Sequence, residues 1–478
     1  MIKPEILDYV KNQILRAEDR LHSYTLDIDG TALPKRNAYF DLFEYLNNFK
    51  DNKESEPRWL ALPGLRGTGK TTLMAQLYSN LNARSGRKLY ISLDEAVRSV
   101  GASLNEVLQA YEELLGTPFE RLQEPIYIFL DEVHYDENWG VILKTLYDKS
   151  KKVFVICTGS SALSLQTNAD MARRAIFIKI YPMSFTEYIF LKTGKQINFK
   201  ISENIKNILF NSENAQDVHD NLKVFMPKIK DYWLNIDNTE IDTYLKYGTL
   251  PFTIRLKQEA LIYSQINHTL NSVLNKDVSA INNFDKSTVE KLSQILYAVS
   301  SAGDTNLAHI GNLVELDPKT ITSVFAAFEK TELLIRVYPY GSHYKQVRKA
   351  SKYLFTSPAF RAMYHNLIGS TLSYNDYKGK LFEDVVGLYL YRTFLGNPDI
   401  ALTYDSSQEG ADFILGSRIR KTSHIALEIG TADKNFRQIS NTLDKVGGKY
   451  GLVISKTELK LSNDTRSVCI PLQVFLML

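Results

Sequence analysis

The stretch GLRGTGKTT, residues 64 to 72, restricts this chain more than any other nine residues. It fits G-x-x-x-x-G-K-[ST] from Gly64 to Thr71. The apolar run RWLALP precedes it and the helical run KTTLMAQLYSNL follows, which is the strand–loop–helix setting the motif needs. Glycines let the backbone curl so that several N–H groups point at one phosphate, and a helix N-terminus adds partial positive charge. The spacing assigns Gly64, Gly67, Thr68, Gly69, Lys70, Thr71 and Thr72 to a nucleoside triphosphate. Lys70 reaches the β- and γ-phosphates, and the Thr71 hydroxyl ligates Mg²⁺. The bland alternative is a glycine turn before a helix, and the combination of strand and helix flanks favours the phosphate loop.

Beyond the loop, apolar runs alternate with helical stretches. KLYISLD, IYIFLD, KVFVICT and IFIKIYP read as further strands of a parallel sheet with crossover helices, an α/β core. IYIFLDEVH ends in two acids. Asp131, at the end of a buried strand, suits the Mg²⁺ ion through water, and Glu132 suits a base that polarises the attacking water. KVFVICTGSSA ends in Thr158 and Ser160. A polar residue there senses the γ-phosphate, or Ser160 or Ser161 caps the next helix. The sequence leaves both open.

At 478 residues the chain is too long for one core, and about three modules are expected. Its 44% hydrophobic and 23% charged content is that of an ordinary globular protein. No apolar run approaches the ~20 residues of a membrane span, and MIKPEILDYVKNQ has no apolar h-region. The two cysteines, Cys157 and Cys469, lie in apolar runs and read as buried hydrophobes of a reducing compartment, so a cytoplasmic location is expected. A net charge of +3 is too weak to imply nucleic acid by itself, so any such case must rest on a local patch.

The expected organisation is an N-terminal helical segment (1–54), the nucleotide-binding core (55–190), a helical region (191–285), a winged helix-turn-helix (286–356) and a C-terminal α/β domain (357–478). One decoy lies in the first segment. LDIDGT spells a phosphatase signature, but the residues before it are polar and no buried strand leads into it, so it reads as a turn.

Three helical runs, STVEKLSQILYAVSS, NLAHIGNLVEL and DPKTITSVFAAFEKTELL, precede the strand pair IRVYPY and KYLFTS. The third helix opens with Asp317 as N-cap and Pro318 at its first position. That order suits a winged helix whose basic wing, Lys345, Arg348, Lys349 and Lys352, lies on DNA phosphates. The third helix, however, offers Lys319, Thr320, Thr322, Ser323 and Lys330 and no arginine for a guanine edge. A winged helix used for packing or for a protein partner is the other reading.

ADFILGSRIRKTSHIALEIG, residues 411 to 430, reads as a hairpin with one acid per strand. With a turn centred near Arg420, Asp412 faces Glu428 at ~5 Å between Cβ atoms, close enough to share a cation. The helix KGKLFEDVVGLYLYRTFL before it offers Glu383, and the helix KNFRQISNTLDKV after it carries Gln438. Helix, acid strand, acid strand, helix resembles the order of the PD-(D/E)xK nuclease fold, with a possible metal site at Glu383, Asp412 and Glu428. That pattern has a lysine two residues after the second acid, where this chain has Gly430. Lys434 is the nearest substitute and Lys421 a more remote one.

GLRGTGKTT, LDEVH, TGSSA and YPMSFTEYI, in that order, resemble the archaeal-type AAA-like ATPases of prokaryotes. The resemblance implies Mg²⁺-dependent ATP binding and hydrolysis. It also implies an arginine finger at Arg173 or Arg174, acting in cis or across a homo-oligomer interface. YLKYGTLPF resembles that family's segment after the core, with Thr249 where a second glycine is usual. The C-terminal third resembles the domain of unknown function that follows this core. Such an architecture suits an ATPase that switches a nucleic-acid-facing, nuclease-like module, in genome defence or mobile-element biology by analogy. The alternative is a nucleotide-gated switch for a protein partner, with slow hydrolysis and a silent C-terminal domain.

Overall fold

The computed structural model describes residues 3–478 except 28, 85, 160–172, 283, 302–305, 368–372, 395–398, 418–423, 431 and 457. The chain divides into two compact units, residues 1–181 with 330–332, and residues 182–329 with 333–478.

In the first unit five strands, β1 (Trp59–Pro63), β2 (Lys88–Ser92), β3 (Ile126–Asp131), β4 (Val153–Gly159) and β5 (Ile176–Phe177), form one sheet in the order β2-β3-β4-β1-β5. Every pairing is parallel. Alternate residues feed opposite layers. Trp59, Ala61, Ile126, Ile128, Val155 and Cys157 join one core, and Leu60, Leu62, Tyr127, Phe129, Phe154 and Ile156 join the other. A parallel sheet covered on both faces demands such apolar runs, which is why these strands read so clearly in sequence. The order places β4 between the strand entering the phosphate loop and the strand ending in Asp131.

The N-terminal segment belongs to this unit. Helix Pro4–Ser23 sends Ile6 and Val10 into one layer and Ala17 and Leu21 into the other, and helix Asn37–Lys50 buries Tyr39, Leu42, Leu46 and Phe49 in the second. LDIDGT is a turn: the Gly30 amide donates to the Asp27 carbonyl, the Asp27 amide to that of Thr31.

The second unit begins at Pro182, so helix Phe185–Thr193 falls within it, not in the core as far as residue 190. Helices and short helical turns fill residues 185–282, with no strand among the described residues. Helices Lys286–Ser301, Leu307–Leu313 and Pro318–Lys330 follow in the expected order. Asp317 caps the third, accepting from the amides of Lys319 and Thr320 at 2.9 and 3.1 Å.

The strand pair β6 (Leu334–Pro339) and β7 (Lys352–Phe355) is antiparallel, but it is not a free wing. With β8 (Ile400–Tyr404), β9 (Phe413–Ser417), β10 (Ile425–Ile429), β11 (Tyr450–Ser455), β12 (Lys460–Leu461) and β13 (Ser467–Pro471) it builds one eight-stranded sheet, β12-β13-β11-β10-β9-β8-β6-β7. Tyr338 and Pro339 pair with Thr403 and Tyr404. The boundary expected at residue 356 is therefore no break, because backbone hydrogen bonds cross it. The connection between β6 and β7, expected as a loop, carries helix His343–Arg348.

Candidate functional site

The loop's glycines do two different jobs. Gly67 and Gly69 have φ of 87° and 85°, a region that costs any other residue its Cβ clearance. Gly64 is required for proximity instead: a Cβ there would lie 2.3 Å from the Ile180 carbonyl oxygen. Helix Lys70–Asn80 starts at the loop, so its first N–H groups face the space the loop encloses. Lys70 is buried, and its ammonium donates to the carbonyls of Gly64 and Leu65 at 2.8 and 3.0 Å. Thr68 is fully buried and its hydroxyl donates to the Leu65 carbonyl at 2.8 Å, while Thr72 is half-buried on the helix.

Three side-chain hydroxyls converge on Asp131. The Thr71 hydroxyl donates to Asp131 Oδ2 at 2.8 Å, the Tyr90 hydroxyl to the same oxygen at 3.3 Å, and the Thr158 hydroxyl to Oδ1. Tyr90 comes from β2 and Thr158 from β4, the neighbours of β3, which is why both reach it. Burial, with Asp131 beside it, pushes the Tyr90 phenol far above its ordinary range, so it stays a neutral donor. The Thr71 hydroxyl and the Asp131 carboxylate are hard oxygen donors meeting at one point, which fits Mg²⁺. These two residues would hold the ion, whose chemistry there is to offset charge on the phosphates.

Glu132 follows in a left-handed conformation, φ 56° and ψ 47°, which a residue with a Cβ adopts only when its surroundings hold it. Its amide donates to the Thr158 hydroxyl at 3.1 Å. Its Oε2 lies 3.6 Å from Arg66 and 3.4 Å from His134.

Arg174 makes a two-pronged pair with Asp148 at 2.8 and 3.0 Å, and Arg173 is exposed. Ser160 and Ser161 lie outside the described residues; among the described residues, Thr158 of this strand end meets both acids.

Four participants were not assigned from sequence: Arg36, Arg66, Tyr90 and His134. Arg66 and His134 stand inside the quoted motifs at positions that accept any residue. Arg36 lies far outside them. It is buried, and it donates to the carbonyls of Thr68 at 2.5 Å and Tyr181 at 3.0 Å, fixing the loop through its backbone.

In the second unit the hairpin register pairs Leu427 with Phe413, so Glu428 and Asp412 are opposed one step further on. The Asp412 amide donates to Glu428 Oε2 at 3.0 Å, and the Ile429 amide to Asp412 Oδ2 at 3.1 Å. Glu383, on helix Tyr374–Phe394, is buried beside them. Lys352 is a correction. Expected on the wing surface, it is buried at 6% exposure, because β7, the edge strand of the sheet, is covered along its whole length, and it forms ion pairs with Glu383 and with Asp412. Burial, then the neighbouring Asp412 carboxylate, raises the Glu428 carboxyl to about 8. Asp412 is also raised by burial, and Glu383 is lowered, burial opposing the Lys352 ammonium that prevails. Among the described residues no three carboxylate, imidazole or thiolate groups converge at metal-ligand spacing. With the Lys352 ammonium paired to Glu383 and Asp412, the residues present do not fit a metal ion here. Arg420 and Lys421 lie outside the described residues, as does the side chain of Lys434.

Of the other basic wing residues, Arg348 and Lys349 are exposed, and Arg348 lies 5.1 Å from the Tyr344 ring. The side chain of Lys345 lies outside the described residues. On the third helix, Lys319 and Thr322 are exposed, and Thr320, Ser323 and Lys330 half-buried. Among the described residues no helix is long and apolar enough to cross a membrane.

The parallel sheet, the phosphate loop and the acids at the end of β3 define an AAA-type P-loop ATPase core, and the AAA domain family matches residues 56–189. The chain belongs to the same family as the uncharacterized protein MJ1637 of Methanocaldococcus jannaschii, to which it is 33% identical over 482 residues, covering all of this chain and 95% of that one. A second protein of that organism, the uncharacterized MJ1544, is 20% identical over 78% of this chain and 75% of its own. A Domain of unknown function (DUF8612) matches residues 238–370, ending before the hairpin. Among solved structures, the Walker-type ATPase PABY2304 of Pyrococcus abyssi aligns over 70% of this chain and 98% of its own at 12% identity and a TM-score of 0.40. The class rests on the AAA match and the geometry, not on that distant likeness.

Proposed function

We propose that this chain is a Mg²⁺-dependent ATPase that switches a nucleic-acid-facing second unit. The observation that carries the reading is the convergence of Thr71, Tyr90 and Thr158 on Asp131, with Glu132 turned out beside it. In this reading the loop amides and Lys70 hold the phosphates. Glu132 takes or polarises a proton of the attacking water, and its left-handed backbone sets its aim. The Thr158 hydroxyl, bonded to Asp131 and to the Glu132 amide, links the two acids, so a change at the γ-phosphate is felt at the end of β4. Arg173 is the finger candidate with its side chain exposed, suited to a neighbouring subunit. Arg174 would first have to leave Asp148.

The nucleic-acid part of the proposal is supported by the helix order at residues 286–330 and by the exposed Arg348 and Lys349. Helix Tyr374–Phe394, β8, the β9–β10 acid hairpin and helix Ala432–Val446, in that order, support the resemblance to the PD-(D/E)xK fold, but cleavage is not part of the proposal. A second reading, a nucleotide-gated switch for a protein partner, is favoured by one observation: Lys352 occupies the acid cluster. ATP turnover measured with and without single- and double-stranded DNA separates the two. Stimulation by DNA supports the first. Turnover indifferent to DNA but altered by a protein recovered in pulldown supports the second.

A further inference from the structure

The acid cluster of the second unit contains its own cation. Lys352 contacts Glu383 and lies 3.2 Å from Asp412 Oδ1, and it also approaches the Asp412 carbonyl at 3.4 Å. The rings of Tyr404 and Phe413 flank its ammonium, each with its centroid 5.4 Å away. Two carboxylates and two aromatic faces thus enclose one charge, an arrangement that suits a buried ammonium. Three further oxygens of the cluster are engaged too. Asp412 Oδ2 accepts from the Ile429 amide, Glu428 Oε2 from the Asp412 amide, and Glu383 Oε2 lies 3.5 Å from Lys380.

We propose that the Lys352 ammonium is the resident cation of this cluster, filling the position between Glu383 and Asp412 that a divalent ion would need, so that the domain keeps its carboxylates metal-free. A Mg²⁺ ion sits ~2.1 Å from its oxygen ligands, and Mn²⁺ makes similar demands. The ammonium already occupies the space between Glu383 Oε1 and Asp412 Oδ1 that such an ion would share. Two cations there would repel strongly in so buried a place. The missing lysine after Glu428 is consistent with this: Gly430 contributes no amine, and the amine present comes from β7 and bonds the acids themselves. Lys352 is held inside, its side chain buried and paired with Glu383 and Asp412. The inference rests on reading the hairpin as nuclease-like in order, and it predicts that the domain engages its ligand without cutting it.

The test is Mn²⁺ binding to the nucleotide-free full chain, read by electron paramagnetic resonance, for wild type, Asp412→Asn, Lys352→Met and the double variant. Wild type and Asp412→Asn should bind the same number of ions. Lys352→Met should bind one more, and the double variant should lose it. Mn²⁺ should also raise the melting temperature of Lys352→Met and leave that of wild type unchanged. Lys352→Arg, which keeps the charge, should behave as wild type. Mn²⁺ binding by wild type that Asp412→Asn abolishes would overturn the proposal, as would metal-dependent cleavage of DNA or RNA lost in Asp412→Asn. The wild-type arm decides even if Lys352→Met does not fold. DNA affinity in the same samples reports on the nucleic-acid reading separately: DNA binding can fail while the ion counts still hold.

Discussion

The guanidinium of Arg361 grips the carboxylate of Asp384 from two sides, Nε to Oδ2 at 2.6 Å and NH2 to Oδ1 at 2.9 Å, with both side chains out of solvent. The same arginine donates to the Val299 and Ser300 carbonyls, and Asp384 accepts from the Phe355 amide. One pair therefore ties helix Lys286–Ser301, β7 and the helix bearing Glu383. Removing one partner of such a pair strands the other charge. Arg361→Met should cost about 3–5 kcal/mol in urea unfolding. Replacing both partners by apolar residues should recover much of that, and a double variant as unstable as the single one would show that the stranded charge is not the cause.

Arg36 anchors the Thr68 carbonyl from outside the phosphate-loop motif. Arg36→Ala should weaken ATP binding by roughly tenfold, the scale of one charge-assisted hydrogen bond. Equilibrium titration with a fluorescent ATP analogue measures it. Unchanged affinity would mean that the loop holds its curl without the arginine.

Glu428 makes stability depend on pH in a stated direction. Its folded value is raised to about 8 from the ordinary 4.5, chiefly by burial and then by Asp412, with Lys352 and Glu383 also facing it. A raised acid favours the folded state while protonated. That contribution is full below about 4.5 and is lost as pH rises through about 8. Wild type should thus lose stability between pH 6 and pH 9 relative to Glu428→Gln. Parallel denaturation curves for the two proteins across this range would contradict the assignment.

If the exposed cations of the second unit meet phosphates, charge reversal at Arg348 and Lys349 should weaken DNA binding alike on all sequences and flatten its dependence on salt. Fluorescence anisotropy at several salt concentrations is the measurement. Equal salt slopes for wild type and the reversed variant would remove these residues from the interface.

The core was legible because a buried parallel sheet must be apolar on both faces and because the phosphate loop needs glycine where φ is positive. Thr71, Asp131 and Glu132 therefore stand where the motifs put them. Arg36 and Tyr90 were not legible, since each acts from another element and carries no local pattern. The hairpin register was readable from the spacing of Asp412 and Glu428. Lys352 was misplaced because a lysine next to a basic loop looks solvated. Only the pairing of β6 with β8, a contact between distant parts of the chain, shows that its strand belongs to a sheet.

The central claim is ATP hydrolysis through Glu132. Steady-state ATP turnover, with ATP affinity measured alongside, compares wild type, Lys70→Ala and Glu132→Gln. Wild type should turn over ATP only with Mg²⁺, and Lys70→Ala should lose most of its nucleotide binding. Glu132→Gln should bind ATP as wild type does and hydrolyse it about 100-fold more slowly or worse, the scale of a lost general base. A Glu132→Gln protein that turns over ATP at the wild-type rate would contradict the account.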